Sequence, residues 1–250
     1  MRISIVNPNS TRSMTETIAL AARQAAARGT EILAYQNDAG PVSIEGHVDG
    51  ALAVPGLLHA LAIAERDGAD AHIIACFDDT GLEAARSVLE CPVIGIGEAA
   101  ARMATLVARR FSVVTTLSVS VPILEDNLVR AGLASLCASV RASELPVLAL
   151  EADPGAAMAK ISEEIALAIT EDGAEAIVLG CAGMADFAEA LSREHGVPVV
   201  EGVSAAVKLM EGAAALGLKT AKRGGYGAPR EKHQGFAYPE GMVAQAREPA

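Results

Sequence analysis

The chain has no tryptophan, and aromatic residues make up only 3% of its 250 positions. Its core must therefore be aliphatic, which suits parallel strands covered by alanine-rich helices. No uninterrupted apolar run approaches the ~18 residues that a bilayer-crossing helix needs. The most apolar stretch, 50–64, is broken by Pro55 and His59. The amino terminus opens on a strand pattern and lacks the apolar segment of a signal peptide, so the expected address is the cytoplasm, with no membrane partner. Positive charge is also short. A net charge of -11 argues against nucleic acid as a partner. Cysteine is sparse, at positions 76, 91, 137 and 181, without C-x-x-C or zinc-finger spacing. Free thiols are expected in a reducing compartment, and no metal.

Strand and helix patterns alternate along the chain. Strands are expected at 2–7, 31–35, 72–75, 92–96, 111–116, near 138–140, at 176–180 and at 198–200. Helices are expected between them, the last over 204–216, and Ser10 or Thr11 is placed to cap the first. A long Gly- and Pro-bearing loop spans 38–50. The pattern restarts at Phe111. Cys76 and Cys181 each follow a buried-strand run, and the intervals from Cys76 to Pro92 and from Cys181 to Pro198 differ by a single residue. This predicts an α/β fold of two pseudosymmetric lobes, each a parallel sheet flanked by helices, with right-handed crossovers. Lobe 1 is read as 1–97 plus 204–218, lobe 2 as 98–203, and 219–250 as a carboxy-terminal tail or arm. That tail is Gly- and Pro-rich and carries six basic residues against three acidic ones, which reads as a solvated segment lying on the acidic body or as a subunit-contacting arm through Tyr226, Phe236 and Tyr238.

Ligands of parallel α/β sheets bind at the carboxyl ends of the strands. Both cysteines occupy that position, as do the polar turns at Asn7–Ser10 and Thr115–Ser118. Cys91 and Cys137 read as small buried hydrophobes. For Cys76 and Cys181, amides and a helix dipole are expected to lower the thiol pKa. An adjacent carboxylate, Asp78 or Asp79, acts in the opposite direction, and both aspartates also read as caps of the helix after Cys76. Two thiols on opposite faces of a carbon can remove a proton from one side and return one to the other. The backbone amides of Phe77, Asp78, Ala182 and Gly183 can hold the oxygen that turns negative in the enolate.

The motifs Asn7-Pro-Asn-Ser-Thr11, Gly40-Pro-Val-Ser-Ile-Glu-Gly46, Ala75-Cys-Phe-Asp-Asp-Thr-Gly-Leu82, Phe111-Ser-Val-Val-Thr-Thr-Leu117 and Leu179-Gly-Cys-Ala-Gly-Met184 together resemble the hydantoin racemases and allantoin racemases of the aspartate/glutamate racemase superfamily. The resemblance implies a cofactor-independent enzyme with Cys76 and Cys181 as the two bases and a cyclic ureide, hydantoin or allantoin, as substrate. It also implies that the last helix returns to the first lobe. Where amino-acid racemases resemble C-N-T and C-T-H, this chain has Cys76-Phe-Asp and Cys181-Ala-Gly, so side chains for an amino acid's charged groups are missing and Phe77 offers an apolar wall. Asn9, Ser43, Ile44, Thr116 and Leu117 are the further candidates for holding the ring. A homo-oligomer is expected. A non-catalytic ligand-binding or thiol-redox module on the same scaffold is the alternative from another class.

Gly95-Ile-Gly-Glu-Ala-Ala100 mimics a dinucleotide-binding turn but lacks the acidic residue expected further on. The five histidines suggest neither a metal cluster nor a triad, and His72, beside a buried strand, reads as structural.

Overall fold

A computed structural model describes residues 1–229. Eight strands form two four-stranded sheets, all of their pairings parallel. The first sheet has the order β2 (Glu31–Gln36), β1 (Arg2–Asn7), β3 (Ala71–Ile74), β4 (Val93–Gly95). The second repeats that order with β6 (Cys137–Ala142), β5 (Phe111–Thr115), β7 (Ala176–Gly180) and β8 (Val199–Glu201). The duplication read from the Cys-to-Pro intervals is thus a duplication of sheet topology.

Strands β3, β5 and β7 are buried along their whole length, as expected for parallel strands covered on both faces. The covering helices of the first half are α1 (Arg12–Ala25), α2 (His47–Arg66), α3 (Leu82–Val88) and α4 (Ile96–Ala104). Those of the second are α5 (Val121–Arg130), the short α6 (Ala149–Ala152), α7 (Pro154–Thr170), α8 (Ala188–His195) and α9 (Gly202–Ala215). Local chemistry sets several ends. Asp153 accepts from the Ala156 amide at 3.0 Å, with Pro154 in the first turn of α7, and Gly196 closes α8 in a left-handed conformation at φ 68. Thr11 differs from expectation. Its hydroxyl donates to the Val42 carbonyl at 2.6 Å, so it ties down the long loop and leaves α1 without a side-chain cap. The segment after Cys181 begins as a 3-10 helix over Ala182–Phe187 before α8.

Three apolar cores result. One lies between the halves and joins Ile3, Ile5 and Ile73 to Phe111, Val178 and Val203. The second, with Leu57, Leu61 and Ile74, lies under α2 and α3. The third, with Ile161, Ile165 and Leu179, lies under α7 and α8. Helix α2 has the length and mean hydropathy, 1.4 over its best window, of a membrane-crossing helix. It nonetheless carries Asp49 and Pro55 and buries Ala53, Leu57, Leu61 and Ala64 beneath the first sheet. The start of the carboxy-terminal tail is also packed. The Thr220 amide donates to the Glu90 carbonyl at 2.9 Å, and the Arg86 guanidinium lies 6.0 Å from the Tyr226 ring centre. Phe236 and Tyr238, the other aromatic residues of the expected arm, lie outside the described residues.

Helix α9 ends the second half but packs on α1, α4 and β3. Its first residue, Gly202, touches the start of α4, where an added Cβ would stand 2.5 Å from the Ile96 carbonyl oxygen. Gly202→Ala should therefore destabilise the fold by about 1–3 kcal/mol, read as a lower urea midpoint. An unchanged midpoint would show that this contact does not seat α9.

Candidate active site

The carboxyl ends of β3 and β7 occupy equivalent places in the two sheets, and Cys76, two residues past β3, and Cys181, directly after β7, line one shared cavity. The walls include Asn9, Met14, Ile44, Phe77, Asp78, Thr116, Ser120, Val147 and Ala182. Its free volume is about 40 Å³, room for a few waters. No lining residue is basic. Of the candidate residues, Asn9, Ile44, Cys76, Phe77, Asp78, Thr116, Cys181 and Ala182 come together here. Ser43, Leu117 and Gly183 do not line it.

Each has a definable place. The Asn9 carbonyl oxygen accepts from the Asn7 side chain and the Thr11 amide, both at 2.9 Å. Its own NH2 meets only the Met14 sulfur, at 3.6 Å, which leaves donor capacity for a ligand carbonyl. Thr116 is buried, and its carbonyl accepts from the Leu145 amide at 3.2 Å. The Leu117 carbonyl accepts from the Ser120 amide at 3.1 Å and so shapes the turn that brings Ser120 to the cavity. The Ser43 hydroxyl donates to Glu45 at 3.4 Å, and Glu45 accepts from the Val147 amide at 3.0 Å. Ser43 thus acts through Glu45, which ties the long loop to the second half. Met14, Ser120 and Val147 were missing from the sequence reading. Only Ser120, in a Ser-rich turn, carried a visible signal.

The thiols depart from expectation. Burial pushes the Cys181 thiol up to about 11, and the charges of Asp78, Glu151 and Glu45 add to this, against the Gly183 amide, which stabilises the thiolate. Burial pushes Cys76 higher still, and Asp78 adds to it. The Thr80 hydroxyl, donating to its sulfur at 3.4 Å, and the Asp78 amide oppose it. The expected amides are present, but desolvation outweighs them. Asp78 is itself pushed up to about 6 by burial. Its carboxylate accepts from the Ser120 hydroxyl at 3.5 Å and its carbonyl from the Asn127 side chain at 2.8 Å. Both donors belong to the segment after β5, so Asp78 bridges the halves.

The aspartates do not cap the helix after Cys76. Asp79 instead reaches the start of α4, where its carboxylate accepts from the Gly97 amide at 2.9 Å and the Glu98 amide at 2.8 Å. The glycine turn that mimics a dinucleotide site is thereby filled by the chain's own carboxylate. At the opposite end of the first sheet, Glu65, His72 and Cys91 bring one ligand atom each within 4.8 Å of one another, a grouping the scattered histidines did not suggest. These groups have protein partners. His72 bonds the Ser4 hydroxyl at 2.7 Å and Glu65, and Cys91 bonds the Ala69 carbonyl at 3.3 Å and the Lys219 ammonium at 3.2 Å.

Because both thiols are held protonated at neutral pH, alkylation of Cys181 by iodoacetamide should rise about tenfold per pH unit through the neutral and mildly alkaline range. Asp78→Asn should speed it, since the Asp78 charge raises the Cys181 pKa. A plateau at neutral pH would contradict this electrostatic assignment.

Comparison with known proteins places this geometry. The family described as Asp/Glu/Hydantoin racemase matches residues 3–210. A hydantoin racemase of Rhizobium meliloti is 49% identical, with 93% of this chain and 96% of that protein covered. One from a Pseudomonas species is 44% identical, with 93% of each covered. Among solved structures, an allantoin racemase from Klebsiella pneumoniae superposes with a TM-score of 0.92 at 50% identity, covering 96% of this chain and 98% of that one. Arylmalonate decarboxylase, at 17% identity and a TM-score of 0.61, shares the fold. With two parallel sheets, a thiol at the end of an equivalent strand in each, and a family match over most of its length, the chain belongs to the Asp/Glu/Hydantoin racemase family of isomerases.

Proposed function

We propose that the protein is a cofactor-independent racemase of 5-monosubstituted hydantoins, with Cys76 and Cys181 exchanging a proton at ring carbon C5. The observation that carries this reading is the single cavity walled by both thiols. A cavity without basic side chains and with an Asp78 carboxylate in its wall disfavours an anionic substrate. A neutral ring with its own carbonyls and N–H groups matches the Asn9 amide and the apolar surfaces of Ile44, Phe77, Val147 and Ala182. The lobe division at 1–97 plus 204–218 and 98–203 belongs to the same proposal, supported by sheet membership and by the packing of α9 on α1.

In the proposed step, one cysteine as thiolate takes the C5 proton. The carbanion delocalises into the adjacent ring carbonyl, and the opposite thiol returns a proton to the other face. A thiol of high pKa is scarce as thiolate but strong as a base, which suits a weakly acidic C–H. The Asp78 and Gly183 amides favour each thiolate in turn. No metal or cofactor is called on, and neither nucleic acid nor a membrane is proposed as a partner. A homo-oligomer and a cytoplasmic setting are proposed with it. Closed homo-oligomers are common among soluble enzymes, and all four cysteines are free thiols, as a reducing compartment keeps them.

Allantoin is the second reading, favoured by the two allantoin racemase structures at 50% and 46% identity. Both readings are tested by incubating single enantiomers of a 5-benzyl hydantoin and of allantoin in D2O, with C5–H followed by NMR and handedness by circular dichroism. Wild type should racemise at least one ring with deuterium entry, and Cys76→Ser and Cys181→Ser should each lose racemisation while exchanging opposite enantiomers. Failure to exchange any ring would sink the ureide reading and favour a binding or thiol-redox module.

A further inference from the structure

We propose that Asp79 is a positioning residue that sets the separation of the two thiols, by docking the Cys76 turn onto the start of α4. The inference rests on the two-thiol reading above but is drawn from contacts outside the cavity wall. Among the described residues other than glycine, only Asp79 and Glu144 adopt positive φ, Asp79 at 50. This is a conformation that few side chains tolerate without compensating contacts. The contacts are specific. The Asp79 amide closes a turn onto the Cys76 carbonyl at 3.1 Å, and its two carboxylate oxygens take the Gly97 and Glu98 amides. The anchor is therefore three residues from the thiol it holds.

The receiving surface is shaped for it. An added Cβ at Gly95 would stand 1.9 Å from Asp79 Oδ1, and one at Gly97 would stand 2.3 Å from the Phe77 carbonyl oxygen. Both glycines are thus needed for the Cys76–Asp79 segment to sit where it does. Gly95, the N-cap position of α4, offers no side chain of its own, so Asp79 supplies the missing cap from another βα unit. The body of α4 then packs on β7 and α9, and β7 delivers Cys181. The helix is a strut with one thiol's turn bound at its tip and the other thiol's strand along its side.

A two-base reaction is sensitive to this spacing, since both sulfurs must reach one carbon from opposite faces. A misplacement near 1 Å can cost about 100-fold in rate. Asp79→Ala and Gly97→Ala should each lower racemisation by about that factor. Gly97→Ala keeps the Asp79 side chain but pushes hard on the Phe77 carbonyl and, from 3.1 Å, on both Asp79 carboxylate oxygens, so it disturbs the same contact from the α4 side. Each should also reproduce Cys76→Ser in D2O, exchanging the enantiomer that Cys76→Ser still exchanges and losing the other. A general loosening of the fold would depress both exchanges together. Asp79→Asn, which keeps one acceptor, should recover part of the loss. Asp153→Ala, which removes the cap of α7 in the second half, should leave both exchanges intact.

The inference is overturned if Asp79→Ala stays folded by circular dichroism and racemises within about threefold of wild type, or if its two exchanges fall in parallel. A second measurement needs no substrate. Peptide mass spectrometry after iodoacetamide treatment gives the alkylation rate of Cys76 relative to Cys181. Asp79→Ala and Gly97→Ala should change that ratio, and Asp153→Ala should not. If wild type racemises no cyclic ureide, the function proposed above fails, and the alkylation ratio still decides whether Asp79 places Cys76.

Discussion

Burial of β3 and β7 on both faces is the constraint from which the site follows. A strand covered on both sides is apolar along most of its length, a buried polar side chain such as His72 of β3 needing its own protein partners, so ligand chemistry collects at its end. Each of these strands delivers a cysteine at or just past its carboxyl end, followed directly by a 3-10 helix at Cys181 and by the Phe77–Gly81 turn before α3 at Cys76. Because the two sheets share one strand order, the two ends are equivalent. Because one apolar core joins the halves, they also meet. The duplicated topology thus brings both thiols to the shared cavity and leaves only their fine spacing to local contacts.

That constraint explains which parts were legible in the sequence. Apolar runs such as Ala176–Gly180 are recognisable, and the matched Cys-to-Pro intervals reveal the duplication without any structure. The Asn9 turn and Ile44 were found for similar reasons, lying in polar or glycine-bearing segments that follow strands. Val147 was not legible, since it enters the cavity from the segment after β6, held there by Glu45 of the other half. The thiol pKa values were misjudged for a related reason. The amides that favour thiolate are local and can be counted from the turn sequence. Desolvation depends on everything packed around the sulfur, and so does the reach of Asp78, whose charge raises both thiols.

The electrostatics also bear on substrate choice. Asp78 is half-buried in the wall shared by the thiols, opposed by no basic residue of that wall. Its charge and the low polarisability of its surroundings hold both sulfurs protonated in the empty site. A substrate that brought a further negative charge would add to that penalty, whereas a ring whose N–H groups face the carboxylate would relieve it. The same carboxylate that weakens the thiols as resting nucleophiles thus favours a neutral, N–H-bearing ligand, and a high thiol pKa helps the proton transfer once such a ring is bound.

The two halves solve one structural problem differently. In both, the residue three after the cysteine donates its amide to the cysteine carbonyl at 3.1 Å, Asp79 to Cys76 and Met184 to Cys181. In both, a short strand then leads into a helix whose first amides need acceptors. In the second half the strand's last residue, Glu201, accepts from the Val203 and Ser204 amides at 2.7 Å, and Met184 is left to bury itself in the core. In the first half the equivalent residue is Gly95, which has nothing to offer, and Asp79 crosses over to do the work. The Cys181 turn is therefore anchored by apolar packing, whereas the Cys76 turn adds a bidentate carboxylate to the packing of Phe77. Apolar packing tolerates small shifts, whereas two hydrogen bonds to adjacent amides admit only a narrow range of positions. The duplicated fold thus holds Cys181 by the core of its own half, and at Cys76 adds the directional anchor of Asp79 to the packing of Phe77 and the contacts of Asp78.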